Sequence, residues 1–158
     1  MGLSFKEICD RLRSRFPSAV LETVEPNGDP FAIVDGAQMA EIGAFLKDTP
    51  ELDFDYLASV GGTDDLQNLW SVVHLYSIRR NHRLVLKAKL DRNDPHLPTL
   101  CPVWPTANWH EREAYDLYGI RYDGHPDLRR ILLPEDWPGY PMRKDYDFPE
   151  HYQGIPLK

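Results

Sequence analysis

The chain has 158 residues, 42% hydrophobic and 27% charged, with a formal net charge of −7, the make-up of one globular domain able to bury a core without disulfides or metals. The acidic balance argues against a general nucleic-acid binder, which carries a basic balance or a basic stripe. Its two cysteines, Cys9 and Cys101, form no C-x-x-C spacing. Zinc ribbons, cluster ligation and thioredoxin-like chemistry therefore lack ligands, and two isolated thiols suit a reducing compartment.

In chain order, residues 3–16 place Leu3, Ile8, Leu12 and Phe16 about one helical turn apart, with Ser4 and Glu7 spaced as a capping box and Pro17 as the stop. This N-terminus reads as an amphipathic helix rather than a signal peptide. No apolar run approaches the roughly 20 residues of a membrane-spanning helix. The expectation is a cytoplasmic protein that meets a membrane only through partners. Residues 19–24 and 31–34 read as strands around the turn Glu25-Pro26-Asn27-Gly28-Asp29-Pro30. Asp35 is placed to cap a helix over 36–47, with Met39, Ile42, Phe45 and Leu46 as its buried stripe. Strands follow over 52–60, ending at Gly61-Gly62, and over 69–78. Residues 79–82 make a tight connection to a strand over 83–90 with one wet face. Residues 91–105 hold Pro95, Pro98, Pro102 and Pro105 and read as a loop. A short helix over 106–118 stops at Gly119, and an extended, turn-rich tail follows. Residues 148–158 show no element.

The order α-β-β-α-β-β-β, then a helix and a long tail, predicts an α+β fold of two layers, with helices on one face of a mostly antiparallel or mixed sheet. Residues 1–105 form the α+β part. Residues 106–158, the helix and tail, are expected to pack on it as one domain.

Catalytic patterns fail on inspection. His110-Glu111 begins like H-E-x-x-H, but Ala114 stands where the second histidine belongs. There is no G-x-G-x-x-G, no P-loop and no G-x-S-x-G. His74, amid apolar strand residues, reads as a polar group in the core. His125, in Gly124-His125-Pro126-Asp127, reads as a turn stabiliser.

Charge and aromatic residues concentrate in 107–146 instead. Glu111, Glu113 and Asp116 crowd one short helix, where Arg112 and Asp116 are spaced four apart to pair. Arg121, Arg129, Arg130, Arg143 and Lys144 supply cations downstream. The carboxylates, Glu113 included, are expected to clamp the tail through arginine forks. Trp137 and Tyr140 on the tail read either as packing or as an interface, where Trp, Tyr and Arg are enriched. A hydrolase built on Glu111, Glu113 and Asp116 is the rival reading. The surrounding acids argue against a nucleic-acid stacking surface.

At this stretch the chain resembles a known family, the thirty-kilodalton subunit (the C-type subunit) of proton-pumping NADH:quinone oxidoreductase, respiratory complex I. The family signature is matched by Glu111-Arg112-Glu113, Asp116, Leu117-Tyr118, His125, Arg129 and Ile131-Leu132, and its continuation by LLPEDWPGYPMRKDY. The resemblance implies a scaffold of the hydrophilic arm with no catalytic residues and no cofactor or metal of its own. FMN, iron–sulfur clusters and quinone belong, on this reading, to neighbouring subunits. It implies docking to the forty-nine-kilodalton-type (D-type) subunit, with the B-type and I-type subunits nearby, on the cytoplasmic face of the inner membrane. It also implies the stand-alone rather than the fused form. Glu111, Arg112, Glu113, Asp116, His125, Arg129, Arg130, Trp137, Tyr140, Arg143 and Lys144 are then clamps or partner contacts. An equivalent scaffold subunit of a membrane-bound hydrogenase or a ferredoxin-linked relative is the alternative.

Overall fold

The computed structural model describes residues 2–157. Met1 and Lys158, the outer limits of the expected domain and tail, lie outside them. Helix α1, Phe5–Arg15, starts on a reciprocal capping box: Ser4 Oγ accepts from the Glu7 amide (3.3 Å) while Glu7 Oε2 accepts from the Ser4 amide (2.8 Å). Strands β1, Val20–Val24, and β2, Phe31–Val34, form a hairpin. Asp35 caps the next element through the Ala37 amide (3.0 Å), but that element begins with one 3-10 turn, Gly36–Gln38, before helix α2, Met39–Asp48. Met39, Ile42 and Leu46 are fully buried, and Phe45 stacks edge-on against Phe16.

Strand β3 departs from expectation. It spans Tyr56–Asp64, not 52–60, and runs straight through the glycine pair. Leu52 and Phe54 alternate like strand residues and are fully buried, yet they belong to the loop leaving α2. There the amides of Leu52 and Asp53 both donate to the Thr49 carbonyl, and Asp53 takes a positive φ of 43°. The loop is pinned by His82, whose Nε2 donates to the Leu52 carbonyl (2.5 Å) while Nδ1 accepts from the Leu3 amide (3.1 Å). His82 thus opens strand β5, His82–Asp91, rather than serving only as a connector after β4, Asn68–Ser77. His74, expected in the core, points outward and is exposed, because β4 buries the alternate set Leu69, Ser71, Val73 and Leu75.

The sheet order is β1-β2-β5-β4-β3. Neighbours in sequence pair antiparallel, and β2 and β5 pair parallel because α2 and the β3–β4 hairpin intervene between them. One face of this mixed sheet, including Val34, Val73, Leu84, Leu86 and Ala88, packs beneath α1 and α2. The proline-rich segment is not wholly a loop. It holds strand β6, His96–Pro98, paired in parallel with β7, Arg121–Asp123. Between them runs helix α3, Ala107–Tyr118, closed by Gly119 at φ 77°. The C-terminal residues form a small hairpin, β8 (His151–Tyr152) with β9 (Ile155–Pro156).

Helix α3 lies against β3, and the glycine pair explains how. A Cβ on Gly62 would come within 2.5 Å of the Tyr118 ring, whereas one on Gly61 would meet nothing within 4 Å. The Val60 amide donates to His110 Nδ1 on α3 (3.4 Å), so the helix also covers this edge strand. Gly62→Ala is expected to cost about 1–3 kcal/mol by overpacking, lowering Tm by several degrees, while Gly61→Ala leaves it nearly unchanged. Equal melting of the two variants would show that the Tyr118 contact does not set the packing.

The helix–tail clamp, a candidate partner-binding site

Helix α3 presents two fully buried carboxylates to two different loops. Glu111 faces the segment before the helix. Its Oε1 accepts from the Leu100 amide (2.7 Å) and its Oε2 from the Thr99 hydroxyl (2.5 Å), with Cys101 Sγ at 3.5 Å. Burial drives the Glu111 carboxyl above its ordinary range, and these donors offset that only in part. Asp116 faces the tail. One oxygen accepts from three consecutive amides, Ile131 (3.1 Å), Leu132 (2.7 Å) and Leu133 (2.9 Å), and the other from Arg130 Nη1 (2.8 Å). Burial pushes the Asp116 carboxyl up, but the hydrogen bonds from Leu133, Arg130, Leu132 and Ile131 outweigh it and hold the group below its usual range.

The arginines do something other than the expected pairing. Arg112 does not bridge to Asp116. It is buried and donates to the carbonyls of Arg129 (3.2 Å) and Arg130 (3.1 Å), with its guanidinium over the Trp109 ring. Arg130 reaches the Asp116 carbonyl and then those of Trp137 and Gly139, both at 2.9 Å. Arg143 donates to the Tyr118 carbonyl (2.8 Å). Tyr140 lies beneath both Arg130 and Arg143 and rests on Gly119, where a Cβ would meet its ring at 2.5 Å. Arg121 pairs with Asp94, away from α3.

The remaining predicted residues divide. His125 Nδ1 accepts from the Asp127 amide (3.0 Å), so Nε2 carries the proton and donates to the Asn108 carbonyl (3.1 Å), tying the turn to α3. Arg129 is exposed and, among the described residues, its side chain pairs with Asp127 alone. Glu113 is exposed with no hydrogen bond or ion pair among the described residues, so the clamp does not run through it. Lys144 contributes its backbone amide to Asp64 (2.8 Å) while its side chain lies exposed. Trp137 packs against Tyr152 and Phe148, and its indole Nε1 is buried without an acceptor among the described residues.

A second clamp was not anticipated. Asp64, buried at the end of β3, takes Arg92 in a two-pronged contact, Nη2 to Oδ2 at 2.8 Å and Nε to Oδ1 at 3.2 Å. Arg92 also reaches Asp145 on the tail. The Arg92 guanidinium holds the Asp64 carboxyl far below the carboxylate range. These residues lie 28 and 53 positions apart, with no sequence spacing to link them.

Cys101, Glu111 and His125 gather their ligand atoms within 4.8 Å. Their donor chemistry does not suit a metal. The His125 Nε2 proton is directed at Asn108, its Nδ1 is taken by an amide, and both Glu111 oxygens accept hydrogen bonds. Glu111 and Asp116 are likewise sealed from solvent, which removes the cleft that a hydrolase needs.

What this geometry defines is an α+β domain that holds an irregular strap across its helix α3 by charged side chains. The chain belongs to the family of the respiratory-chain NADH dehydrogenase 30 kDa subunit, whose family model matches residues 32–152. It is 44% identical over 150 residues to the C-type subunit of NADH-quinone oxidoreductase from Chlorobium phaeobacteroides, covering 92% of this chain and 90% of that protein. It is 41% identical over 148 residues to the same subunit from a Roseiflexus species, covering 92% of this chain and 85% of that one. Among solved structures it is similar to the trypsin-resistant fragment of Nqo5, with a TM-score of 0.67 and 26% identity over 78% of this chain and 98% of that one. It shares its fold with a chain of the archaeal membrane-bound sulfane sulfur reductase, with a TM-score of 0.73 and 21% identity over 90% of this chain and 85% of that one.

Asp116→Asn removes the charge facing Arg130 and replaces one acceptor oxygen by a donor. It is expected to cost about 3–5 kcal/mol at neutral pH and to open residues 128–146 to proteolysis, whereas Glu113→Gln leaves the tail as resistant as before. Because the folded Asp116 and Asp64 carboxyls are depressed, their contribution is complete above the ordinary aspartate range near 4 and is lost as pH falls through the folded values. Glu111 has the opposite sign, its penalty relieved as pH falls through its raised value. Urea titrations across pH should show stability dropping below about pH 4, with that limb flattened in Asp116→Asn. An unflattened limb would mean that Asp116 does not carry it.

Proposed function

We propose that this chain is a non-catalytic scaffold subunit in the hydrophilic arm of a proton-translocating NADH:quinone oxidoreductase. It docks through its tail to the 49 kDa-type (D-type) subunit, with the B-type and I-type subunits as further neighbours. The observation that carries this reading is the state of the tail. Its backbone is locked inward by Asp116, Arg130 and Arg143, while Leu132, Met142, Phe148 and Ile155 face outward, Leu132 at 63% and Ile155 at 63% exposure. A rigid strap that displays apolar side chains has already met the entropy cost of ordering, which favours docking. Trp109 on α3 is also outward, as are Glu113 on the same helix and the Lys144 side chain on the strap.

In this role the chain carries no flavin, cluster or quinone site, and those groups sit on the partner subunits. Its buried carboxylates hold backbone amides instead of reactants. No helix of the described residues is long and apolar enough to cross a membrane. Attachment to the cytoplasmic face of the inner membrane would therefore be peripheral, through the complex. The fold shared with the sulfane sulfur reductase chain keeps a second reading open, the equivalent scaffold of a hydrogenase-type or ferredoxin-linked complex. The identity of 38–48% to C-type subunits of NADH-quinone oxidoreductases favours the first.

A tagged chain recovered from gently solubilised membranes is expected to bring down a flavin- and cluster-bearing assembly with NADH:quinone reductase activity. A nickel–iron or ferredoxin-linked assembly in its place would support the second reading, and recovery of the chain alone would remove both. Leu132→Asp combined with Met142→Asp should lower that recovery by roughly tenfold with the melting temperature of the isolated chain unchanged. Undiminished recovery would rule out docking through this strap.

A further inference from the structure

The five-stranded sheet has a second face that the helices leave open. Helices α1, α2 and α3, the β6–β7 pair and the tail all gather on the inner face, through the core, the Gly62–Tyr118 contact and the Ser71–Tyr122 hydrogen bond. A sheet face left open to water ordinarily reads polar. Here the strand register brings Phe31 and Ile33 of β2, Val85 of β5, and Val72 and Trp70 of β4 side by side across the outer face. Val85 is only 7% exposed although no helix covers it. Two shallow hollows flank this band. One is walled by Phe31, Ile33, Trp70 and Lys87, with Thr63 and the Asp65 carboxylate at its end, the other by Tyr56, His74, Arg83 and Val85.

The central strand of this face is basic where the chain as a whole is acidic. With 25 acidic residues against 18 basic ones overall, the outward positions of the central strand β5 carry Arg83, Lys87 and Lys89. Arg83 is paired with Asp29 at the rim (2.6 Å). Lys87 lies 3.7 Å from the Phe31 ring centroid and has no anionic partner among the described residues. Lys89 is exposed with no partner there at all. Three acids stand nearby, none of them in an ion pair with Lys87 or Lys89 among the described residues. Asp65 accepts from the Trp70 indole (2.8 Å), Asp91 from the Asn93 amide (2.9 Å), and Glu22 stands out on the edge strand β1, across Ile33 from Lys87. Two ammonium groups with no ion pair among the described residues therefore stand on one strand face, about 7 Å apart, beside an apolar floor.

We propose that this outer face is a docking surface for the acidic surface of a partner protein, which presents carboxylates to Lys87 and Lys89 and an apolar side chain to the hollow between Phe31 and Trp70. The proposal rests on the reading of the chain as a subunit of an assembly, and it adds an interface on the side of the sheet away from the tail. The lysines steer and orient the encounter, and the apolar band supplies the buried area.

The test is acylation of lysine amines, mapped by mass spectrometry, in the isolated chain and in the native assembly, with the exposed Lys6 of α1 as reference. Lys87 and Lys89 are expected to become protected in the assembly. In the same assembly, Lys87→Glu combined with Lys89→Glu should reduce retention of the chain on the order of tenfold at low salt, and Lys87→Arg combined with Lys89→Arg should restore it. Partners recovered with Lys87 and Lys89 as reactive as in the free chain would overturn this proposal alone. A chain recovered without partners would overturn it together with the functional reading. Protection that arises in the isolated chain as its concentration is raised would assign the face to a second copy, and protection by anionic lipid vesicles would assign it to a membrane. Either result also overturns the acidic partner.

Discussion

An extended segment that joins no sheet must still find partners for its backbone, and here one carboxylate does most of that. Asp116 sits at the inner side of α3 and receives three consecutive amides from residues 131–133 on a single oxygen. Three N–H groups converging on one anion form a nest of the kind that binds free anions elsewhere. The anion in this case is the protein's own. Without it, a turn of backbone would lie against a helix with orphaned donors, at about 1–3 kcal/mol for each buried one. The tail's path over α3 depends on this contact before any aromatic packing counts.

The rest of the strap follows a simple division of labour. An ionised carboxylate only accepts, and a guanidinium only donates. Accordingly, Asp116, Asp64 and Glu111 take amides, from 131–133, from Leu66 and Lys144, and from Leu100. Arg112, Arg130 and Arg143 take carbonyls, from 129 and 130, from 137 and 139, and from 118. The charges meet each other chiefly at Asp116–Arg130 and Asp64–Arg92. Irregular backbone needs donors and acceptors in equal supply, so a cluster of mixed charge serves it better than a set of closed ion pairs would.

This also explains what was legible in the amino-acid sequence. Local devices could be read directly: the Ser4–Glu7 box, the Asp35 cap, the Gly119 stop and the turn at His125 all act within a few residues. That Asp116 and Arg130 belong to a clamp was legible from charge density, but the Arg112–Asp116 pair was not formed. Helical spacing says which side chains can meet and is silent on competing backbone carbonyls. The boundary of β3 was misplaced because Leu52 and Phe54 mimic strand alternation while filling the core from a loop. Asp64–Arg92–Asp145 was invisible, since the partners are joined only by the completed fold.

The five-residue offset between Glu111 and Asp116 then has a physical meaning. At about 100° per residue it turns the two carboxylates roughly 140° apart around α3, so that one helix serves two loops. Glu111 fastens the 99–101 segment that precedes the helix, and Asp116 fastens the 131–133 segment that follows it. Apolar replacements of the same volume would spare the cost of burying two charges, but would strand the amides that now point at them. A helix with one such acid would leave the amides of one flanking loop without their acceptor. With both, the stretch from Thr99 to Leu133 closes around α3 as a unit, and the outward face of the tail is set by groups that never reach the surface.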